Sequence, residues 1–128
     1  MKGDGVLLAA ETFEIEPDAN ASQSSYYVIT KAPFPVLGLA GFMFGAIVTG
    51  VGGTLQWNVA WRQIEATAEN PGAWTDLLGT PASATANSEW NSGNLAVTPG
   101  TNGWAELALK IPSNNARGRL HIFAAGKY

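Results

Sequence analysis

The side chains able to exchange protons or form bonds are few in this chain and widely spaced. His121 is the single histidine, and it alternates with Arg119 and Phe123 along an extended stretch, a surface or interface position rather than a catalytic one. A Ser-His-Asp site would have to use it, yet no serine sits in a G-x-S-x-G elbow. Cysteine is absent, which removes disulfides, thiolate zinc sites and cysteine nucleophiles together. Glycoside hydrolysis needs two carboxylates flanking one bond at about 5 to 10 Å. Glu65 and Glu69 on one strand face would lie about 13 Å apart at 3.3 Å per residue. Asp18, Asn20 and Ser22 have the spacing that opens a calcium loop, but Gln23 and Ile29 stand where its glycine and closing carboxylate belong, so the stretch reads as a turn. No G-x-x-x-x-G-K-[ST] loop is present for phosphate. These residues point away from an enzyme and imply no cofactor, no metal and no small-molecule substrate.

Binding chemistry is better represented. Trp74, Trp90 and Trp104, with Asn91, Asn94 and Asn102 nearby in sequence, are the set that could stack a sugar and hydrogen-bond its hydroxyls, a lectin-like or receptor-binding alternative. The formal net charge is −3, and the basic residues are scattered apart from Arg117 and Arg119. A nucleic-acid groove needs a clustered basic footprint, so that class is set aside. Charged residues make up 13% of the chain, against roughly 25% in ordinary soluble domains, so some surface is expected to face something other than water.

The elements that would position these residues are strands. Leu55, Trp57, Val59 and Trp61 alternate with Gln56, Asn58, Ala60 and Arg62, which sends the large apolar groups to one face and makes Trp57 and Trp61 core anchors. The phase slips at Arg62 and Gln63, where a β-bulge is expected, and Asn70-Pro71-Gly72 turns the chain into a short strand at Trp74 to Leu78. Val6 to Glu16, Tyr26 to Lys31, Trp104 to Ile111 and Arg119 to Ala125 read as further strands, and Gly79 to Asn94 as loops. Ala32 to Trp61 carries no charge. Its first two-thirds would span a bilayer by length, but Pro33, Pro35, repeated glycines and the lack of a basic flank argue instead for strands at Val36 to Ala40 and Phe42 to Thr49. Both faces of that segment are apolar, a pattern expected of a central strand or of one covered by a neighbouring subunit.

The expectation is therefore one all-β domain over residues 1–128, an antiparallel β-sandwich or jelly roll of about seven to nine strands. The alternation leaves open which of the two, and residues 1–5 are expected to form a flexible N-terminal arm. A secretory signal is not expected, because Met1 to Gly5 is followed by too short an apolar run.

The series QWNVAWRQIEATAENPGAWTDL, Ser88-Glu89-Trp90-Asn91, Leu95-Ala96-Val97, Trp104 to Leu109, Gly118 to Ile122 and Gly126-Lys127-Tyr128 resembles small virion proteins of tailed bacteriophages, namely the β-sandwich decoration or cement proteins of icosahedral capsids. The likeness is one of strand-and-turn pattern over about Thr54 to Tyr128. It implies a structural virion protein, made in the host cytoplasm and placed on the capsid surface, that bridges major capsid proteins as a homotrimer without catalytic residues. Under it, Phe34, Val36, Leu37, Phe42, Met43, Phe44 and Ile47 are the expected oligomer or capsid interface, with the N-terminal end reaching a neighbour.

Overall fold

The computed structural model describes residues 5–16, 25–64, 72–100, 103–112 and 116–128, and within them the chain is all-β with no helix. Ten strands are formed: β1 (Val6–Ile15), β2 (Ser25–Val28), β3 (Phe34–Pro35), β4 (Gly41–Gly52), β5 (Leu55–Ile64), β6 (Thr75–Asp76), β7 (Ala82–Ala84), β8 (Ser88–Ala96), β9 (Trp104–Ile111) and β10 (Arg117–Lys127). One sheet has the order β1-β10-β4-β8. The other has the order β2-β9-β5-β6, with β3 also pairing β9 and β7 also pairing β5. All pairings are antiparallel.

The pairing is nested. The first strand pairs the last, β2 pairs β9, β4 pairs β8, and β5 pairs β6 and β7. The chain thus behaves as one long double strand rolled upon itself, and the rolling brings β10 beside β4 and β9 beside β5. From β4 onward the long strands β4, β5, β8, β9 and β10 fall alternately in the two sheets, and with the nested pairing this is the jelly-roll form of the sandwich. Alternation within single strands could not separate the two forms, because the distinction lies in which distant strands pair.

Between the sheets lie Phe42, Phe44, Ala46 and Val48 of β4, Leu120, Ile122 and Ala124 of β10, Leu55, Trp57 and Val59 of β5, and Ala105, Leu107 and Leu109 of β9. The period of two that predicts these strands is the period with which they bury. Phe42 is the hub, with ring centroids 5.9 Å from Phe34, 6.1 Å from Phe44 and 5.9 Å from Trp61. The uncharged stretch is therefore strand and turn: β3, a tight turn over Val36 to Leu39, then the twelve-residue β4.

Three expectations are corrected. The pairing of β5 with β9 runs without a shift from Asn58↔Lys110 to Ile64↔Trp104, so there is no bulge at Arg62/Gln63. The slip in hydrophobic phase instead puts Ile64 on the outer face, beside Trp104. Register shifts occur at Leu7/Ala9, Met43/Gly45 and Arg117/Arg119. The strand expected at Val36 to Ala40 is a turn, closed by Leu39 N–H donating to the Val36 carbonyl at 2.9 Å, with Gly38 at φ 82°, where a side chain would be strained. The polar stretch before Asn94 contains β7 and much of β8. The possible calcium loop, Glu65, Glu69 and most of the Asn70-Pro71-Gly72 turn lie outside the described residues.

Candidate functional site

The surfaces left for chemistry are the outer faces and ends of the sandwich. On the outer face of the β2-β9-β5-β6 sheet, register alone would expose Ala60 and Ala108, which lie opposite each other. Both have no solvent exposure and neither belongs to the core between the sheets. The side chains around them form a roof. Tyr26 stacks on Trp74 with centroids 5.6 Å apart and planes 13° from parallel. The Arg62 guanidinium lies 4.3 Å from the Trp74 ring centre and donates to Glu106 Oε1 at 2.9 Å. Asp76 closes the other side, accepting from the Tyr26 hydroxyl and from Lys110 Nζ, each at 2.8 Å. Lys110 Nζ also sits 5.2 Å from the Tyr26 ring centre.

The electrostatics follow from this geometry. Burial raises the Asp76 carboxyl, but the hydrogen bonds from Lys110 and Tyr26 outweigh it and leave the group below its ordinary 3.8. Burial together with the neighbouring carboxylate holds the Tyr26 hydroxyl above 10.0. The bond to Asp76 raises Lys110 above 10.5. Every charge in the roof has a partner, so the cluster works as a side-chain clasp from β2 across β9 and β5 to β6.

Beneath the clasp the buried polar residue is Asn58, 5% exposed. Its side-chain amide donates to the Leu78 carbonyl and accepts from the Leu78 N–H, both at 3.1 Å, and its oxygen also accepts from Val59 N–H at 2.8 Å. Asn58 stands in for a strand between β6 and β7. Alternation alone would read it as one more polar residue on a wet face; no signal in the sequence separated it from Gln56.

The outer face of the β1-β10-β4-β8 sheet differs. His121 lies there between Thr12, whose hydroxyl pairs with its Nδ1, and Ile47, which is 44% exposed. Phe123 lies flat over Gly45, where a β-carbon would come within 2.4 Å of the ring. Arg119 and Glu14 pair at the far end of this face, beside a depression of about 240 Å³ also lined by Glu16, Thr49, Gly50, Arg117 and Gly118. At one end of the sandwich the Val36–Leu39 turn holds Leu37 outward, 77% exposed. The turn is fixed by Tyr128 Oη donating to the Pro35 carbonyl at 2.7 Å and by Val36 N–H donating to the Gly103 carbonyl at 3.2 Å.

The residues expected to form an interface fall into two groups. Phe34, Val36, Phe42 and Phe44 are buried in the chain's own core, so they have no surface to offer a partner. Leu37 and Ile47 are exposed and Met43 is half-buried on the same outer face as Ile47. The tryptophans do not share one platform. Trp90 packs edge-to-face on core Trp57 at 5.6 Å, Trp74 is held under Tyr26 and Arg62, and Trp104, 47% exposed, lies beside Ile64 on the outer face. Among the described residues no three His, Asp or Glu side chains converge where a metal ion could sit.

The fold places the chain in the class of two-sheet jelly rolls, a class used by viral capsid and lectin domains alike. Within that class it is similar to a chain in the structure of infectious bursal disease virus Gx strain, with a TM-score of 0.58 and 10% sequence identity, over 96% of this chain and 36% of that one. At that identity the likeness is one of fold. The chain spans about a third of the length of the protein that it matches. No family model matches the sequence, and no curated protein does.

Proposed function

We propose that this chain is a structural virion protein. The observation that carries the reading is the similarity of nearly the whole jelly roll, 96% of the chain, to part of a chain in a virus structure. The placement of the polar groups supports it, since the charged side chains that converge on one sheet face are spent on closing that face rather than on a reactive centre. The finer form of the proposal is a decoration protein that bridges major capsid proteins from outside the shell, as a homotrimer, in a tailed bacteriophage.

The surface best suited to that contact is the outer face around Ile47 and Phe123, continued by Leu37 at the end of the sandwich. Binding only to the assembled lattice would stabilise that lattice by the binding free energy, and three weak sites held in one trimer would act together through effective concentration. The test is to pellet assembled shells and unassembled shell protein separately with the purified chain. Binding to shells alone, with loss in Ile47→Asp and Leu37→Asp variants, is the expected result. Absence of binding to both would remove the proposal.

A further inference from the structure

Each sheet of an open sandwich has two edge strands, and an unpaired edge recruits other strands unless something prevents it. Three of the four edges here are closed in different ways. On β8, Asn91 Oδ1 accepts from Gly93 N–H at 2.7 Å and the Ser92 hydroxyl donates to the Gly93 carbonyl at 2.7 Å, so both main-chain groups of Gly93 are taken where it turns to φ 68° and the register with β4 shifts, an irregularity that interrupts the edge midway. The β6–β7 edge is broken into pieces of two and three residues, with Asn58 bridging the gap. The β2 edge is four residues long and lies under the Tyr26–Asp76 clasp.

The remaining edge is β1, ten residues that among the described residues pair with β10 alone. Among the described residues no main-chain hydrogen bond reaches its other side. We infer that β1 is a strand-recruiting edge whose partner is an extended segment of another protein carrying basic side chains. Charge complementarity selects that occupant. Glu11 projects on the core-facing side at the rim, half-buried opposite Ile122 and without an ion-pair partner among the described residues. Glu14 on the outer face and Glu16 just past the strand follow; Arg119 pairs with Glu14, and Arg117 lines the same depression as Glu16, so Glu11 is the carboxylate left for a partner. A second copy of β1 would set these glutamates against each other, which disfavours self-pairing.

The partner's apolar side chains also have a seat. Phe13 and the exposed Tyr27, with ring centroids 5.9 Å apart, line the rim on one side of the edge, and exposed Leu7 and Ala10 flank the other. An added strand would gain its affinity from main-chain hydrogen bonds to β1, with lysine or arginine on one face of the strand meeting the carboxylates and apolar groups on the other covering a rim. The inference rests on the fold and the edge alone, so it stands or falls separately from the virion reading.

The test uses the full chain and two capped decapeptides, one alternating valine with lysine and one alternating valine with glutamate, read by amide hydrogen exchange resolved to residues. The valine–lysine peptide should slow exchange about tenfold at the β1 amides that point away from β10, with little change on β8 or β2, and the glutamate peptide should not. The preference should reverse in a Glu11→Lys/Glu16→Lys variant. Rising salt should weaken the wild-type effect, a readout that holds even if that variant fails to fold. Equal protection by both peptides, protection by neither, protection centred on another edge, or protection that grows with protein concentration in the absence of peptide would each overturn the inference.

Discussion

At the residue scale, two buried side chains carry unequal legibility. Trp57 is readable because it is large, apolar and in phase with Leu55 and Val59, and it is 1% exposed. Asn58 is its immediate neighbour, and its role depends on Leu78, twenty residues away, to which no local pattern points. Removing the Asn58 amide would strand the Leu78 N–H and carbonyl in a partly buried site. We expect Asn58→Ala to cost about 1–3 kcal/mol in urea denaturation, with faster exchange at the Leu78 amide. The uncharged stretch provides a paired comparison. Phe42→Ala should cost about 3–5 kcal/mol, because it empties the aromatic hub of the core. Leu37→Ala should change stability by no more than about 0.5 kcal/mol, since that side chain stands in solvent. Similar costs for the two would contradict the assignment of one to the core and the other to the surface.

At the scale of elements, strands with strong alternation such as β9 and β10 were legible to within about two residues at either end. β8 was not, because Ser88–Ala96 is rich in serine, asparagine and glycine, poor strand formers that pair here through β4 rather than by their own preference. The clasp across the other sheet was equally hidden, since it joins Tyr26, Arg62, Trp74, Asp76, Glu106 and Lys110 from four parts of the chain. Its pH behaviour follows from the direction of each shift. Asp76 ionises more readily in the folded chain, so its contribution is present above pH 3.8 and is lost as the pH falls through the lower folded value. Tyr26 and Lys110 are held above 10.0 and 10.5, so their contributions are lost only as the pH rises through those raised values. The difference in denaturation midpoint between the wild type and Asp76→Asn should therefore be level between about pH 5 and pH 9 and shrink in stronger acid. A difference that grows in acid would exclude the clasp as drawn.

At the scale of the whole molecule, the topology turns a charge-poor sequence into a sandwich with two unlike outer faces. One is roofed by its own ion pairs and aromatic rings. The other leaves Ile47 and Phe123 open around a lone histidine and ends at β1, which among the described residues pairs with β10 alone. The sandwich itself was legible from alternation, whereas the nesting that makes it a jelly roll depends on pairings such as Val6↔Gly126, which join the two ends of the described chain. Hydrophobicity marks Phe34, Val36, Phe42 and Phe44 as strongly as Leu37 and Ile47, and only the fold decides which of them face inward.

The claim that this molecule is a structural part of a virus particle is tested most directly by quantitative mass spectrometry of density-purified particles from cells that produce it. The account predicts that the chain sediments with the particles in a fixed ratio to the most abundant shell protein, and that the ratio survives repeated banding. Recovery of the chain only in the soluble fraction, or a ratio that falls towards zero with each purification, would contradict it.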